Sequence, residues 1–240
     1  MSEVGDRRPR YLRLRDQIAL EITQHIWRPG EPIPTEHVLA AQYGTSLGPV
    51  IKALNLLVAD RLIERIQGKG SFVRRPDWGT AHVRCIRYHG SAADQRTLQS
   101  KIIERKAVVG PRRVTSALQL KQNARVIRLK RLRFFKRRLV LYEDVWLEER
   151  QFKQVLELPE DELRLLYPIY ERLCGVVVAC AEETITIGTA TRLDIEKLLI
   201  LEGGPVVLMD RVAYGFDKRP IEFCQSRGPA SDFCYKIEIR

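Results

Sequence analysis

The sequence offers little to redox or metal chemistry. Its five cysteines, Cys85, Cys174, Cys180, Cys224 and Cys234, are scattered and odd in number, with no Cys-x-x-Cys pair. Neither a disulfide framework nor a zinc site is expected, and buried free thiols in a reducing compartment are the plain reading. Histidine is scarce too, and His82 and His89, seven residues apart, read as surface residues rather than metal ligands. No apolar run approaches the roughly 18 residues of a membrane span, and the start, MSEVGDRRPRYLRLRD, has no apolar signal segment. A cytoplasmic protein is expected, without cofactor, metal or membrane partner.

Acid is the other shortage. Lys and Arg outnumber Asp and Glu by 41 to 30, a formal charge of +11, which favours a polyanionic partner. The excess is uneven. Residues 1–78 carry 12 basic against 9 acidic side chains, residues 79–150 carry 18 against 6, and the remainder 11 against 15. Exposed pairs such as Arg112-Arg113 and Arg137-Arg138 could therefore add long-range attraction to such a polyanion, or simply form a solvated basic face.

In the first third, Tyr11, Leu14, Ile18 and Ile22 fall on one helical face, with Pro29-Gly30 as the stop. Pro34-Thr35-Glu36 opens a second helix, with Thr35 as N-cap, Glu36 in the first turn, and Val38, Leu39 and Tyr43 as its buried side. Gly44-Thr45-Ser46 makes a turn, and Val50, Leu54 and Leu57 give the core face of a third helix over 47–60. Leu62 to Ile66, a Gln67-Gly68-Lys69-Gly70 turn and Ser71-Phe72-Val73 then form a hairpin. The pattern is a winged helix-turn-helix.

The remainder mixes strands, expected at 101–109, 126–135, 139–147, 176–187, 206–216 and 221–226, with helices near 115–121, 162–174 and 191–200. Turns at Lys136-Arg137-Arg138 and Asp217-Lys218-Arg219-Pro220 make antiparallel neighbours, giving an α+β domain with a mostly antiparallel sheet. Alternation from Val126 puts Ile127, Leu129, Arg131, Arg133 and Phe135 on one face. If that face is inward, two cations need anionic partners: a bound carboxylate or phosphate, or Glu143 across the hairpin.

The residues Tyr11, Leu14, Ile18, Ile22, Pro29-Gly30, Pro34-Thr35-Glu36, Ala53-Leu54 and QGKGSFV at 67–73 resemble the GntR family of transcription regulators in identity and spacing. The later segment resembles the UTRA effector-sensing domain of the HutC-like branch, a chorismate-lyase-like fold. The likeness runs through Arg131-Leu132-Arg133, Leu141-Tyr142-Glu143 with Trp146, Leu166-Tyr167, the helix before Pro205, Arg211, Pro220-Ile221-Glu222-Phe223 and Asp232-Phe233. The implied organisation is a DNA-binding domain at 1–75, a linker at 76–82 and an effector domain at 83–240.

The resemblance implies that Thr35 and Glu36 at the start of the second helix meet backbone phosphate, that Thr45, Ser46, Leu47, Pro49 and Lys52 face the major groove, and that Lys69-Gly70 reach the minor groove. Two positions depart from the family pattern, because Leu47 and Ile51 stand where arginines are usual. Either Leu47 and Pro49 pack on thymine methyls, with Lys52, Thr45 and Gln42 as polar contacts, or specificity is weak or lost. In the second domain, the resemblance implies Arg131 and Arg133 as anion clamps, Glu143 and Glu222 as acceptors, Tyr167 as a donor, and Arg227 at a position often held by Tyr. Leu165 in place of a hydroxyl and Arg227 as an extra cation favour a carboxylate over an amino-sugar phosphate.

The resulting expectation is a homodimeric repressor that binds a double-stranded DNA operator and is released by a small anionic metabolite, with no catalytic residues. A chorismate-lyase-like enzyme, or a regulator-derived interaction protein with weakened DNA specificity, are the other two classes.

Overall fold

The computed structural model describes residues 8–75, 99–135, 137–160 and 162–233. The chain forms two compact units, Met1–Pro76 and Asp77–Arg240. The expected linker at 76–82, both histidines at 82 and 89, Cys85, Cys234 and Lys136 lie outside the described residues.

In the first unit, α1 (Arg10–Thr23) buries Leu14, Ile18 and Ile22, one residue per turn along a single stripe. It stops at Thr23 rather than running to Pro29-Gly30, because His25 turns left-handed at φ 57°. Its N–H then bonds the carbonyl of Ile22 while that of Ile26 bonds Glu21, the paired bonds of a Schellman stop. Helix α2 (Glu36–Gln42) buries Leu39 and Ala40 and leaves Val38 53% exposed, a correction to the expected face. In so short a helix only one stripe meets the core, and Val38 lies a full helical step away from it. Gly44, at φ 55°, makes the turn into α3 (Leu47–Ala59), which buries Val50, Ala53, Leu54 and Leu57. Pro49 sits in the first turn, where no intrahelical hydrogen bond is lost. Strands β1 (Ile63–Ile66) and β2 (Gly70–Val73) pair antiparallel as the wing, and a bridge from Pro32 to Phe72 ties them to the chain before α2.

The second unit is one antiparallel sheet in the order β3-β4-β5-β8-β7-β6. Its strands are β3 (Gln99–Val109), β4 (Arg125–Phe135), β5 (Arg138–Glu148), β6 (Cys180–Thr189), β7 (Pro205–Tyr214) and β8 (Pro220–Pro229). The strand expected from 176 begins only at Cys180. Gly175, left-handed at φ 63°, ends the preceding helix, and Val176, Val177 and Val178 go into the core as coil. The helix expected over 162–174 splits into a 3-10 turn, Glu162–Arg164, and a helix that follows it, Leu166–Cys174.

Period-two alternation sorts the sheet into two faces. One presents Ile127, Leu129, Val145 and Leu147 to Phe152, Val155, Leu163, Ile169 and Tyr170, which come from the 149–156 segment, the 162–164 turn and the Leu166–Cys174 helix. Phe152 meets Tyr170 edge to face with ring centroids 4.9 Å apart. The other face presents Val126, Trp146 and Phe223 to Val114 and Leu118, from the helix Arg112–Ala117 and its C-cap. Another short helix, Arg192–Leu198, carries a capping box in which Asp194 reaches back to Thr191.

Candidate functional site

The apolar face of the large sheet changes character at the end of β4. Arg131 and Arg133 continue the stripe begun by Ile127 and Leu129, so both guanidinium groups are carried inward, to 3% and 4% exposure. The ladder register then shifts between Arg133 and Phe134, which interrupts the alternation before Phe135. Arg131 lies opposite Glu143 on β5, and Glu143 lies opposite Ser226 on β8. Two residues along β8 from Ser226 is Cys224, and two further is Glu222; all three are buried. The sheet therefore collects Arg131, Arg133, Glu143 and Glu222 on one inward face, and the Leu166–Cys174 helix closes over it with Tyr167 and Tyr170.

The contacts divide the charges unequally. Arg131 Nε donates to Glu143 Oε2, forming a buried pair. Arg133 Nε is 3.9 Å from the same oxygen, beyond a hydrogen bond. The hydrogen bonds that fix Arg133 go to neutral groups: Nη1 donates to Ser100 Oγ and to the Arg164 carbonyl at 3.3 Å. Glu222 is held by two phenols, Tyr167 at 3.2 Å and Tyr170 at 2.7 Å. Within this cluster two enclosed donors have no hydrogen-bond partner among the described residues, Arg131 Nη1 and Arg133 Nε. An enclosed cationic N–H left unbonded costs about 1–3 kcal/mol or more, which an added acceptor would recover.

Protonation follows the same division. Burial alone would raise Glu143, yet Arg131 and Arg133 outweigh it and hold this carboxyl below the usual range, ionised at neutral pH. Burial raises Glu222 despite the opposing pull of Arg131. Burial, and next the like charge of Arg131, push Arg133 down to about 10. Arg133 is thus a cation that its neighbours offset only in part, through Glu143 at ion-pair distance without a hydrogen bond. Burial likewise raises the Cys224 thiol, and Glu143 and Glu222 add to that.

Arg227 does not join this cluster. It is five residues from Glu222, an odd step that places it on the opposite face of β8, where its guanidinium donates to both oxygens of Asp194 at 2.5 and 2.6 Å. As an effector contact it is withdrawn, and with it the preference for a carboxylate that rested on its charge. Three residues of the cluster were not singled out from the sequence as contacts. Tyr170 stands one helical turn after Tyr167, a spacing that could have revealed it. Ser100 is reached only through its register with Arg133, which no local pattern encodes. Arg211, beside Cys224 in register, is paired with Glu183.

Of the expected basic surface, Arg113 is exposed but pairs with Asp210, and Arg125, Arg128 and Lys130 pair with Glu149, Asp144 and Glu104. Much of the described positive excess in this segment is thus matched locally. Of the three described cysteines Cys224 alone is buried, and Cys180 is exposed, against the expectation of uniformly buried thiols. Among the described residues no group of three His, Cys, Asp or Glu side chains is placed to hold a metal, and no helix is long and apolar enough to cross a membrane.

In the first unit, Thr35 and Glu36 line one groove of about 620 Å³ together with Lys69 and Gly70 of the wing turn. Thr35 occupies the N-cap position but makes no side-chain cap bond, so its hydroxyl is exposed. Ser46 N-caps α3 likewise without a side-chain bond. Leu47 and Pro49 are half-buried, whereas Lys52 is exposed, its ammonium 5.8 Å from the Tyr11 ring centroid. A three-helix unit with a two-stranded wing, followed by an antiparallel-sheet domain, has known counterparts. Residues 10–73 match bacterial regulatory proteins of the gntR family, and residues 93–233 match the UTRA domain.

The chain belongs to the GntR family, with a UTRA domain. This GntR-family regulator is 25% identical over 221 residues to a "probable fructoselysine utilization operon transcriptional repressor" of Shigella flexneri, covering 90% of each chain. It is 23% identical over 237 residues to the mannosyl-D-glycerate transport/metabolism system repressor MngR of Escherichia coli, covering 96% of this chain and 95% of that one. The crystal structure of PhnF from Mycobacterium smegmatis shares the fold, with a TM-score of 0.56 at 21% identity, covering 95% of this chain and 99% of that one.

Proposed function

We propose that this GntR-family regulator is a DNA-binding repressor released by a small metabolite whose anionic group, a carboxylate, is held between Arg131 and Arg133. The observation that carries the reading is the pair of enclosed, unbonded donors Arg131 Nη1 and Arg133 Nε beside a cation with no hydrogen-bonded carboxylate. A carboxylate supplies two acceptor oxygens and one negative charge, which meets both needs. Glu143 and Glu222 are then the acceptors for hydroxyl or amine groups, and Tyr167 and Tyr170 set the position of Glu222. Relatives named for fructoselysine and mannosyl-D-glycerate support this choice, since both compounds carry a carboxylate. Leu165 supports it as well, having no hydroxyl to offer a phosphate.

The DNA partner is a double-stranded operator read by a homodimer, because helix-turn-helix proteins usually read paired half-sites with matching symmetry. Thr35, Thr45, Ser46, Leu47, Pro49 and Lys52 face it, with Lys69 and Gly70 at the wing. A lyase reading has less support: the relatives are named repressors, and the one thiol beside the cluster, Cys224, is held protonated. A thermal-shift panel of small carboxylates and phosphates tests the sensing half. A matching carboxylate at about 100 times its Kd stabilises the protein by about 2.7 kcal/mol. Stabilisation by phosphates alone contradicts the carboxylate, and no response to any anion contradicts the sensing site.

A further inference from the structure

The start of α1 carries cations that the helix itself does not employ. Arg10 and Arg13 line a cleft of about 360 Å³ together with Leu14, Gln17, Tyr43 and Thr45. No acidic side chain lines it. Arg10 Nη2 donates to the backbone carbonyls of Gly44 and, at 3.4 Å, Tyr43, which fixes the guanidinium without cancelling its charge. Arg13 is exposed one turn further on, and among the described residues no carboxylate pairs with it. The other described cations of this segment are spoken for: Arg8 pairs with Asp16 at 2.6 Å, and Arg15 with Asp16 at 3.2 Å and Asp60 at 3.7 Å. The nearby Glu21 carboxylate accepts the Tyr43 hydroxyl at 2.8 Å.

The cleft opens beside the amino end of α3. Thr45 immediately precedes the N-cap Ser46, which makes no side-chain cap bond, and the first turn of α3 contains no acid. That end of a 13-residue helix keeps its partial positive charge. Two guanidinium groups, a hydroxyl and a helix amino terminus thus converge on one exposed recess.

We infer that this cleft seats one backbone phosphate of duplex DNA, flanking the groove that α3 enters, with Arg13 and Arg10 as its cations and Thr45 as a hydroxyl donor. The inference rests on the DNA-binding reading above and adds to it a contact from α1. It also accounts for how a helix carrying Leu47 and Pro49 at its start is held to DNA: the anchoring charge comes from a different helix. Such a contact positions the protein and reads no base.

The test uses fluorescence anisotropy of the full-length protein with a labelled random-sequence duplex of about 30 bp, titrated across about 50 to 200 mM salt. Each phosphate neutralised contributes about 0.9 to the slope of log K against log salt, a factor of about 3.5 in affinity over that range. Arg13→Ala is expected to lower the slope by that amount with an unchanged melting temperature, since the side chain is exposed. Arg8→Ala, which removes a cation already paired with Asp16, leaves the slope as in the wild type. A wild-type slope retained in Arg13→Ala overturns the inference while leaving DNA binding intact. Failure of the wild type to bind any duplex overturns the parent reading and this one together.

Discussion

Glu143→Ala is expected to destabilise the second unit by about 3–5 kcal/mol, because it strands the Arg131 guanidinium, 3% exposed, without its paired carboxylate. The penalty comes from the uncompensated buried charge and not from the lost contact itself. Replacing both partners, as in Arg131→Met with Glu143→Leu, should therefore recover most of it, since an apolar pair of similar volume avoids desolvating two ions. Urea unfolding of the three variants measures this directly; a double variant no better than Glu143→Ala contradicts the origin given for the effect. The pH dependence has a definite sign. The folded-state value of Glu143 lies below its unfolded value of about 4.3, so its contribution is present above that pH and is lost as pH falls through the lowered value. Glu222 is raised and has the opposite sign: its contribution is full below the unfolded value and disappears as pH rises through the folded one. Glu143→Gln should then lose less stability than the wild type on acidification below about pH 4. Parallel curves would show that Glu143 is not held ionised by the arginines.

Arg133→Met has a different expected result, a large loss of ligand affinity with little loss of stability. Arg133 is buried, its hydrogen bonds go to Ser100 Oγ and the Arg164 carbonyl, and Arg131 repels it. Removing such a cation leaves no buried carboxylate unpaired, because Glu143 keeps Arg131. The charge-assisted hydrogen bond from Arg133 Nε to a ligand carboxylate is worth about 1.5–3 kcal/mol, so affinity for a carboxylate identified in the thermal-shift panel should fall by more than about 10-fold. Isothermal titration against the wild type reads the change, and equal affinities would remove Arg133 from the site.

The parts of this molecule that were legible in advance are those governed by local periodicity. The stripe of Leu14, Ile18 and Ile22, the wing turn at 67–70 and the alternation that turns Arg131 and Arg133 inward all follow from spacing along one element. The pairing of Arg131 with Glu143 was visible as one alternative because the two residues flank the same turn, but the register shift between Arg133 and Phe134 that completes it was not legible. Legibility ended where tertiary packing or a single left-handed residue decided the outcome. His25 closes α1 early, and Gly175 converts the apparent strand at 176–179 into buried coil. Val38 faces solvent because the unit gives α2 only one stripe of core. Ser100 joins the cluster through the β3 to β4 register, which is set across a long sequence separation. Arg227 was a different kind of miss: counting from Glu222 along β8 assigns it to the far face, so the alternation that found Arg131 also excludes it.

The central claim is that one molecule couples an anion held by Arg131 and Arg133 to its hold on DNA. Anisotropy of a labelled duplex from the protein's own promoter, titrated with the stabilising carboxylate, measures that coupling most directly. The account predicts that DNA affinity falls on adding the carboxylate to the wild type and stays constant for Arg133→Met. Unchanged affinity in the wild type, at a concentration that saturates binding in the calorimeter, would contradict it.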